Sequence, residues 1–267
     1  PRNEHQKKAE AESYSEYNEL FSPSGRYRLV YVPGPPVRIL LRDSKGKQLA
    51  EITDAGLVDS AAWGPNDSFF TVTRSPGESE RVSVYSTRTL KERVVARGPT
   101  SCPTWTAGGE RLAVIRKSKS EPPNRWQRAG EIVVSDSRED FARTVTIGRL
   151  AKDPVFSPTG RRIAFLELEK DEYGDLCRTS LKVAEIADVV PRMLLRNRRE
   201  PEFSWIDDDR LTVTTKDKHA VPTLEIVDMN GCRQSLVTDR RAARIECLDY
   251  LPSEGAYFFR TSDSILR

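Results

Sequence analysis

The stretch FSPTGRRIAF, residues 156 to 165, joins an aromatic residue to a Ser-Pro turn, a glycine, two arginines and an apolar run. Ser, Pro and Gly each favour a turn for a different reason: a capping hydroxyl, a fixed φ, and access to positive φ. The β-branched and aromatic residues beyond them suit a pleated strand. The segment therefore reads as a turn feeding a strand. Related segments recur as FSPSGRYRLVYV from Phe21, WGPNDSFFTVT from Trp63, WTAGGERLAVI from Trp105, WIDDDRLTVT from Trp205 and LPSEGAYFFR from Leu251. This is a repeat protein.

The anchors Phe21, Trp63, Trp105, Phe156 and Trp205 are spaced by 42, 42, 51 and 49 residues, and the sixth repeat supplies Tyr250 or Leu251. The second repeat shows the unit plainly, with DSAAW, SFFTVT, RVSVYS and KERVVA joined by polar turns. A period of about 40–50 residues with four strands per unit indicates propeller blades. The expected fold is all-β, a six-bladed β-propeller of four-stranded antiparallel blades. It forms one domain over residues 17–267, with blades starting near 17, 59, 101, 152, 200 and 244. Stacked blades bury both faces of inner strands, so RIAFL from Arg162 reads as inner and RMLLR from Arg192 as an outermost strand of alternating exposure. The five anchors are expected to pack between blades.

The 267 residues suffice for a large buried core. Lys and Arg number 43 against 40 Asp and Glu, a net charge of +3, so the distribution of charge matters more than its total. No apolar run approaches the roughly 18 to 20 residues of a membrane span. Residues 1–16 read as a polar tail or linker, and a chain opening on Pro1 is expected to be a fragment or a processed product. Cys102, Cys177, Cys232 and Cys247 show no zinc-like spacing. They read as buried free thiols or as one disulfide, Cys232 with Cys247.

FSPTGRRIAF and FSPSGRYRLVYV resemble the FSPDGKxIAF signature of the TolB-type, WD-repeat-like six-bladed propellers, over about residues 17 to 267. The usual Asp before the Gly is Ser24 and Thr159 here, and Asp207, Asp208 and Asp209 replace the turn in the fifth repeat. The sixth repeat offers DYL, AYFF and SILR but no fourth strand. The resemblance implies an extracytoplasmic, periplasmic setting, either within an envelope assembly or as the ectodomain of an anchored protein, although a cytoplasmic one also fits the residues.

Catalytic signatures are scarce. No GxSxG, HExxH, Walker-type loop or GxGxxG occurs, and the two histidines are His5 in the tail and His219 in an expected turn. Asp171, Glu172 and Asp175, like Asp207 to Asp209, lack EF-hand spacing and read as solvated turns. No catalytic residue, metal or cofactor is expected.

Propeller topology would gather the blade-to-blade connections and the second-to-third strand loops on one face. The connections carry Arg97, Arg149, Lys152, Arg198, Arg199, Arg240, Arg241 and Arg244, a basic rim suited to an acidic protein or peptide partner. The alternative is that these cations pair with acids such as Glu200, Glu202, Asp239 and Glu246. The insertion from Lys117 to Gly130 adds Trp126 between Arg125 and Arg128, a composition common at interfaces. One exposed aromatic is too few to argue for nucleic acid. The expected function is a monomeric, non-catalytic scaffold that binds a protein or peptide partner. The alternatives are the propeller of a larger enzyme, prolyl-oligopeptidase-like or carbohydrate-active, and a small-ligand or calcium-binding propeller.

Overall fold

The computed structural model describes residues 19–32, 37–54, 58–74, 80–98, 103–117, 129–141, 144–170, 176–197, 200–216, 221–238, 245–251, 256–261 and 265–266. The tail expected at residues 1–16 lies outside them, as do both histidines, Cys102 and the Asp171 to Asp175 loop.

The first repeat forms β1 (Glu19–Phe21), β2 (Tyr27–Val32), β3 (Val37–Asp43) and β4 (Gln48–Asp54). The second forms β5 (Val58–Trp63), β6 (Phe69–Arg74), β7 (Arg81–Ser86) and β8 (Glu92–Arg97). In the third, β9 (Thr104–Trp105), β10 (Arg111–Arg116) and β11 (Gly130–Asp136) precede a short 3-10 turn, Ser137–Glu139. The long β12 (Thr144–Phe156) then runs on into the fourth repeat, completed by β13 (Arg162–Lys170), β14 (Leu176–Glu185) and β15 (Pro191–Asn197). The fifth holds β16 (Glu202–Trp205), β17 (Arg210–Lys216), β18 (Pro222–Asp228) and β19 (Arg233–Thr238). The sixth holds β20 (Ile245–Leu251), β21 (Ala256–Thr261) and β22 (Ile265–Leu266).

Pairing is antiparallel between sequence neighbours throughout. β1 to β4, β5 to β8 and β16 to β19 each form a four-stranded sheet in chain order, and β20 to β22 form a three-stranded one. The chain divides into two compact units, residues 1–121 with 135–144, and residues 122–134 with 145–267.

Within the first unit, Leu29, Ile39 and Leu41 of the first sheet pack with Phe70, Val72 and Tyr85 of the second. Within the second, Leu166, Leu181, Val183 and Leu194 pack with Leu211, Val213 and Val227. The RIAFL segment is buried as expected, with Ile163, Ala164 and Phe165 fully enclosed. The expected alternation of β15 fails. A register shift between Leu181 and Lys182 inserts an extra residue, so Leu194 and Leu195 are both buried while Arg192 and Met193 are both exposed.

Two anchors share one packing rule. Trp63 and Trp105 each stack on the residue six positions beyond the preceding anchor, Trp63 on Tyr27 and Trp105 on Phe69, both at 6.3 Å between ring centroids. Trp63 Nε1 donates to the Leu20 carbonyl at 2.8 Å and Trp205 Nε1 to the Val155 carbonyl at 2.9 Å, in each case the residue just before the earlier anchor. Phe21, expected in the core, is instead 60% exposed, because among the described residues of its unit no ring packs on it.

The turns are clasped in the same periodic way. The fourth residue beyond the anchor takes a left-handed conformation at Gly25, Asp67, Gly109 and Gly160, which is why glycine recurs there. The residue before it reaches the next repeat. The Ser24 hydroxyl bonds the Asp67 carboxylate, Asn66 Nδ2 donates to the Gly108 carbonyl at 2.8 Å, and the Thr159 hydroxyl bonds the Asp208 carboxylate. Ser24 and Thr159 therefore do more than make a turn. They are matched to an acid one repeat later.

Candidate functional site

The turns between third and fourth strands come in two kinds. In the first and fifth repeats they are the tight sequences Asp43–Ser–Lys–Gly–Lys47 and Asp228–Met–Asn–Gly–Cys232. The leading carboxylate accepts from the amides two and four residues on, Lys45 and Lys47 in one case, Asn230 and Cys232 in the other. Gly46 and Gly231 take positive φ. In the second, third and fourth repeats the turn is longer, and an apolar residue adopts positive φ instead: Leu90 at 56°, Phe141 at 56° and Val189 at 52°. Side chains avoid that region, so something must hold them there.

What holds Leu90 and Phe141 is packing between adjacent sheets. Leu90 lies against the cluster of Leu29, Phe70 and Tyr85, together with Tyr27 and Trp63. Phe141 is buried edge-on against Phe69 at 5.1 Å and Trp105 at 6.0 Å between centroids. Each residue plugs the junction between its own repeat and the one before it.

In the tight turn of the fifth repeat no apolar residue takes positive φ; Met229 packs against the core of the unit instead, and a groove of about 520 Å³ opens beside it. Its lining is Arg162, Val183, Glu185, Asp188, Val190, Pro191, Arg192, Leu194 and Met229. Arg162 stands six residues beyond the Phe156 anchor, the place of Tyr27 and Phe69 in earlier repeats. Its guanidinium bonds the Glu185 carboxylate, the Asp208 carbonyl and the Asp209 carboxylate, and the Asp209 and Glu185 carboxylates push its pKa further up. Arg192 donates to the Met229 carbonyl at 3.1 Å. At the rim Val190 is 73% exposed, between Asp188 and Arg192. The floor of Val183 and Leu194 belongs to the core of the unit.

A second polar cluster is enclosed in the second repeat. Arg74, at the end of β6, donates to Ser83 Oγ at 3.1 Å and to the Tyr85 hydroxyl at 2.6 Å, and lies 3.5 Å from Glu92. Burial pushes the Tyr85 phenol up, against the pull of Arg74. With its hydrogen bonds met inside the sheet, this cluster reads as a polar staple. Among the described residues, no group of three His, Cys, Asp or Glu side chains is placed to hold a metal.

Of the basic rim, the described residues include Arg97 and Lys152. Arg97 ends β8 and is exposed. Lys152 is bonded to Glu200 and lies 3.5 Å from Asp153, which is the acid pairing weighed above. Arg125, Trp126, Arg128, Arg198, Arg199, Arg240, Arg241 and Arg244 lie outside the described residues, as does the side chain of Arg149. Neither Arg97 nor Lys152 lines the groove, so the groove is a separate candidate, and sequence reasoning missed it. The available signal was the shortening of the fifth-repeat turn to Asp-x-x-Gly, a form it shares with the first repeat. Cys232 is free and exposed, not a buried thiol, because it closes that tight turn at the surface. The side chains of Cys177 and Cys247 lie outside the described residues.

No protein-family model matches the chain, and no curated protein matches it in sequence. Its likeness is to solved structures. Dipeptidyl peptidase 4 of Porphyromonas gingivalis superposes with a TM-score of 0.64 at 11% identity, over 97% of this chain and 46% of that one. The tricorn protease superposes with a TM-score of 0.56 at 10% identity, over 90% of this chain and 28% of that one. These neighbours are propellers, and three of the sheets here are four-stranded antiparallel units of that kind. The fold is a β-propeller. TolB of Acinetobacter baumannii also appears among the neighbours, at a TM-score of 0.45 and 14% identity, over 84% of this chain and 54% of that one. The chain thus spans about half or less of the length of these three proteins. Among the described residues, no helix of this propeller is long and apolar enough to cross a membrane.

Proposed function

We propose that this propeller is a non-catalytic scaffold that binds a protein or peptide partner, in an extracytoplasmic setting like that implied by the TolB-type signature. The observation that carries the proposal is the groove between the fourth and fifth repeats, where an apolar floor opens beside the exposed Val190 and the Arg192 guanidinium. Peptide-binding clefts combine an apolar floor with a few polar groups that fix orientation. The basic residues Arg97, Arg149, Lys152, Arg198, Arg199, Arg240, Arg241 and Arg244, with the Arg125–Trp126–Arg128 insertion, form a second proposed contact for acidic segments.

The test is retention of partners from source-cell extract by the wild-type chain, by Val190→Asp with Arg192→Glu, and by a variant with Arg198, Arg199, Arg240 and Arg241 changed to Glu. The proposal expects discrete proteins retained by wild type and lost from at least one variant. Identical retention by all three would contradict it.

A second reading is favoured by the two peptidases, each far longer than this chain. In it, the propeller is one domain of a larger peptidase. A gene that continues into an α/β region with a GxSxG segment would support it, and a gene without one would sink it.

A further inference from the structure

We infer that the groove between the fourth and fifth repeats is a plug seat that Met229 fills only in part, built to take one aromatic side chain from a bound peptide. The inference rests on the scaffold reading and deepens it by naming what the partner must present.

The molecule contains its own templates. At the junction of the first and second repeats Leu90 fills the seat, and at the junction of the second and third Phe141 fills it, each from a long turn of the later repeat. At the junction of the fourth and fifth the later repeat has only Asp228–Met–Asn–Gly–Cys232, whose positive-φ residue is Gly231. A glycine has no side chain to insert. Met229 lies against the core at this place, yet about 520 Å³ remains open. That volume exceeds one side chain and suits an anchor with its flanking peptide backbone.

The seat's chemistry selects the anchor. Where Phe141 meets the Phe69 ring, the equivalent position here is Arg162, its guanidinium fixed by Glu185 and Asp209. A held guanidinium beside apolar Val183, Leu194 and Met229 favours a flat aromatic ring through cation–π attraction and burial together. An aliphatic anchor gains only the burial. At the mouth, Arg192 exposes its guanidinium beside Val190, where an extended peptide would present carbonyl or carboxylate oxygens.

The sequence offers a clean reporter, because it has two methionines, Met193 and Met229. With 13C-methyl methionine in the full chain, N-acetyl-phenylalaninamide, N-acetyl-leucinamide and N-acetyl-serinamide are titrated to tens of millimolar. The expected result is a saturable shift of the Met229 methyl that is several-fold stronger with the phenylalanine probe than with the leucine probe, and absent with the serine probe. The shift should weaken in the surface variant Val190→Asp. In a second variant, Met229 is retained and the fifth-repeat turn is lengthened to end in Phe, as at Phe141; if it folds, it should fill the seat from within and abolish the shift. A Met229 signal unmoved by the phenylalanine probe, or moved equally by the serine probe, would overturn the inference. The scaffold reading is separable. Partners lost from the Val190→Asp and Arg192→Glu variant while Met229 ignores the phenylalanine probe would leave that reading standing and remove the aromatic anchor.

Discussion

The hydroxyl of Thr159 is bonded to the carboxylate of Asp208, 49 residues on, and its amide donates to the same side chain at 3.2 Å. In the other unit Ser24 makes the same pair of contacts with Asp67, 43 residues on. A one-carbon difference in hydroxyl side chain leaves the clasp intact, and both clasps link the turn of one repeat to the turn of the next.

These clasps predict a pH signature. Burial tends to raise the Asp67 and Asp208 carboxyls, but the hydroxyl and amide donors outweigh it and hold both below the ordinary aspartate value of 3.8. A carboxyl lowered in the folded state adds stability above its unfolded pKa and loses it as pH falls through the folded one. Ser24→Ala or Thr159→Val should therefore cost about 1 kcal/mol near neutral pH. The gap to wild type should close as pH drops below 3.8. Urea unfolding across that range checks it, and a gap that is constant with pH would contradict it.

Tryptophan substitutions should separate by repeat. Trp63 and Trp205 each donate an indole N–H to a carbonyl of the preceding repeat, whereas the buried Trp105 Nε1 has no hydrogen-bond partner among the described residues. In the second repeat the equivalent acceptor, the Ala62 carbonyl, takes the Thr71 hydroxyl at 3.2 Å. Replacement by Phe should cost about 1 kcal/mol more at Trp63 and Trp205 than at Trp105, measured by denaturant midpoints.

Positive φ at a β-branched residue carries strain of about 1–3 kcal/mol. Val189→Asn should raise the thermal midpoint, because Asn tolerates this backbone region. Phe141→Asn should instead lower stability by about 3 kcal/mol, since losing the buried contacts with Phe69 and Trp105 outweighs the relief.

Arg74 supports a different expectation. Its guanidinium spans Ser83, Tyr85 and Glu92 in a nearly closed site, a geometry that an ammonium group cannot reproduce. Arg74→Lys should destabilise by about 2 kcal/mol or more, by analogy with other buried polar networks left incomplete. Fluorescence-detected unfolding reads the effect.

Much of the fold was legible because the same anchor and turn recur, and turn chemistry is local. FSPTG and FSPSG announce the positive-φ glycine, and RIAFL announces a strand buried on both faces. Phe21 misled because burial depends on the neighbour a ring receives, which a single repeat does not reveal. The β15 bulge likewise turns on pairing with β14, beyond the reach of the RMLLR pattern itself. The groove was hidden for a similar reason. It arises where the fifth repeat lacks the apolar positive-φ residue that the second and third supply, so it appears only when the turns beginning at Ser86, Asp136 and Asp228 are compared in space.

The most direct test of the scaffold account is photo-crosslinking in the source cell, with a benzophenone amino acid at position 190 on the groove rim and, as a control, at the exposed position 49 of the first repeat. The account predicts a discrete crosslinked partner from position 190 and none of the same size from position 49. The same diffuse pattern from both positions, or none from position 190, would contradict it.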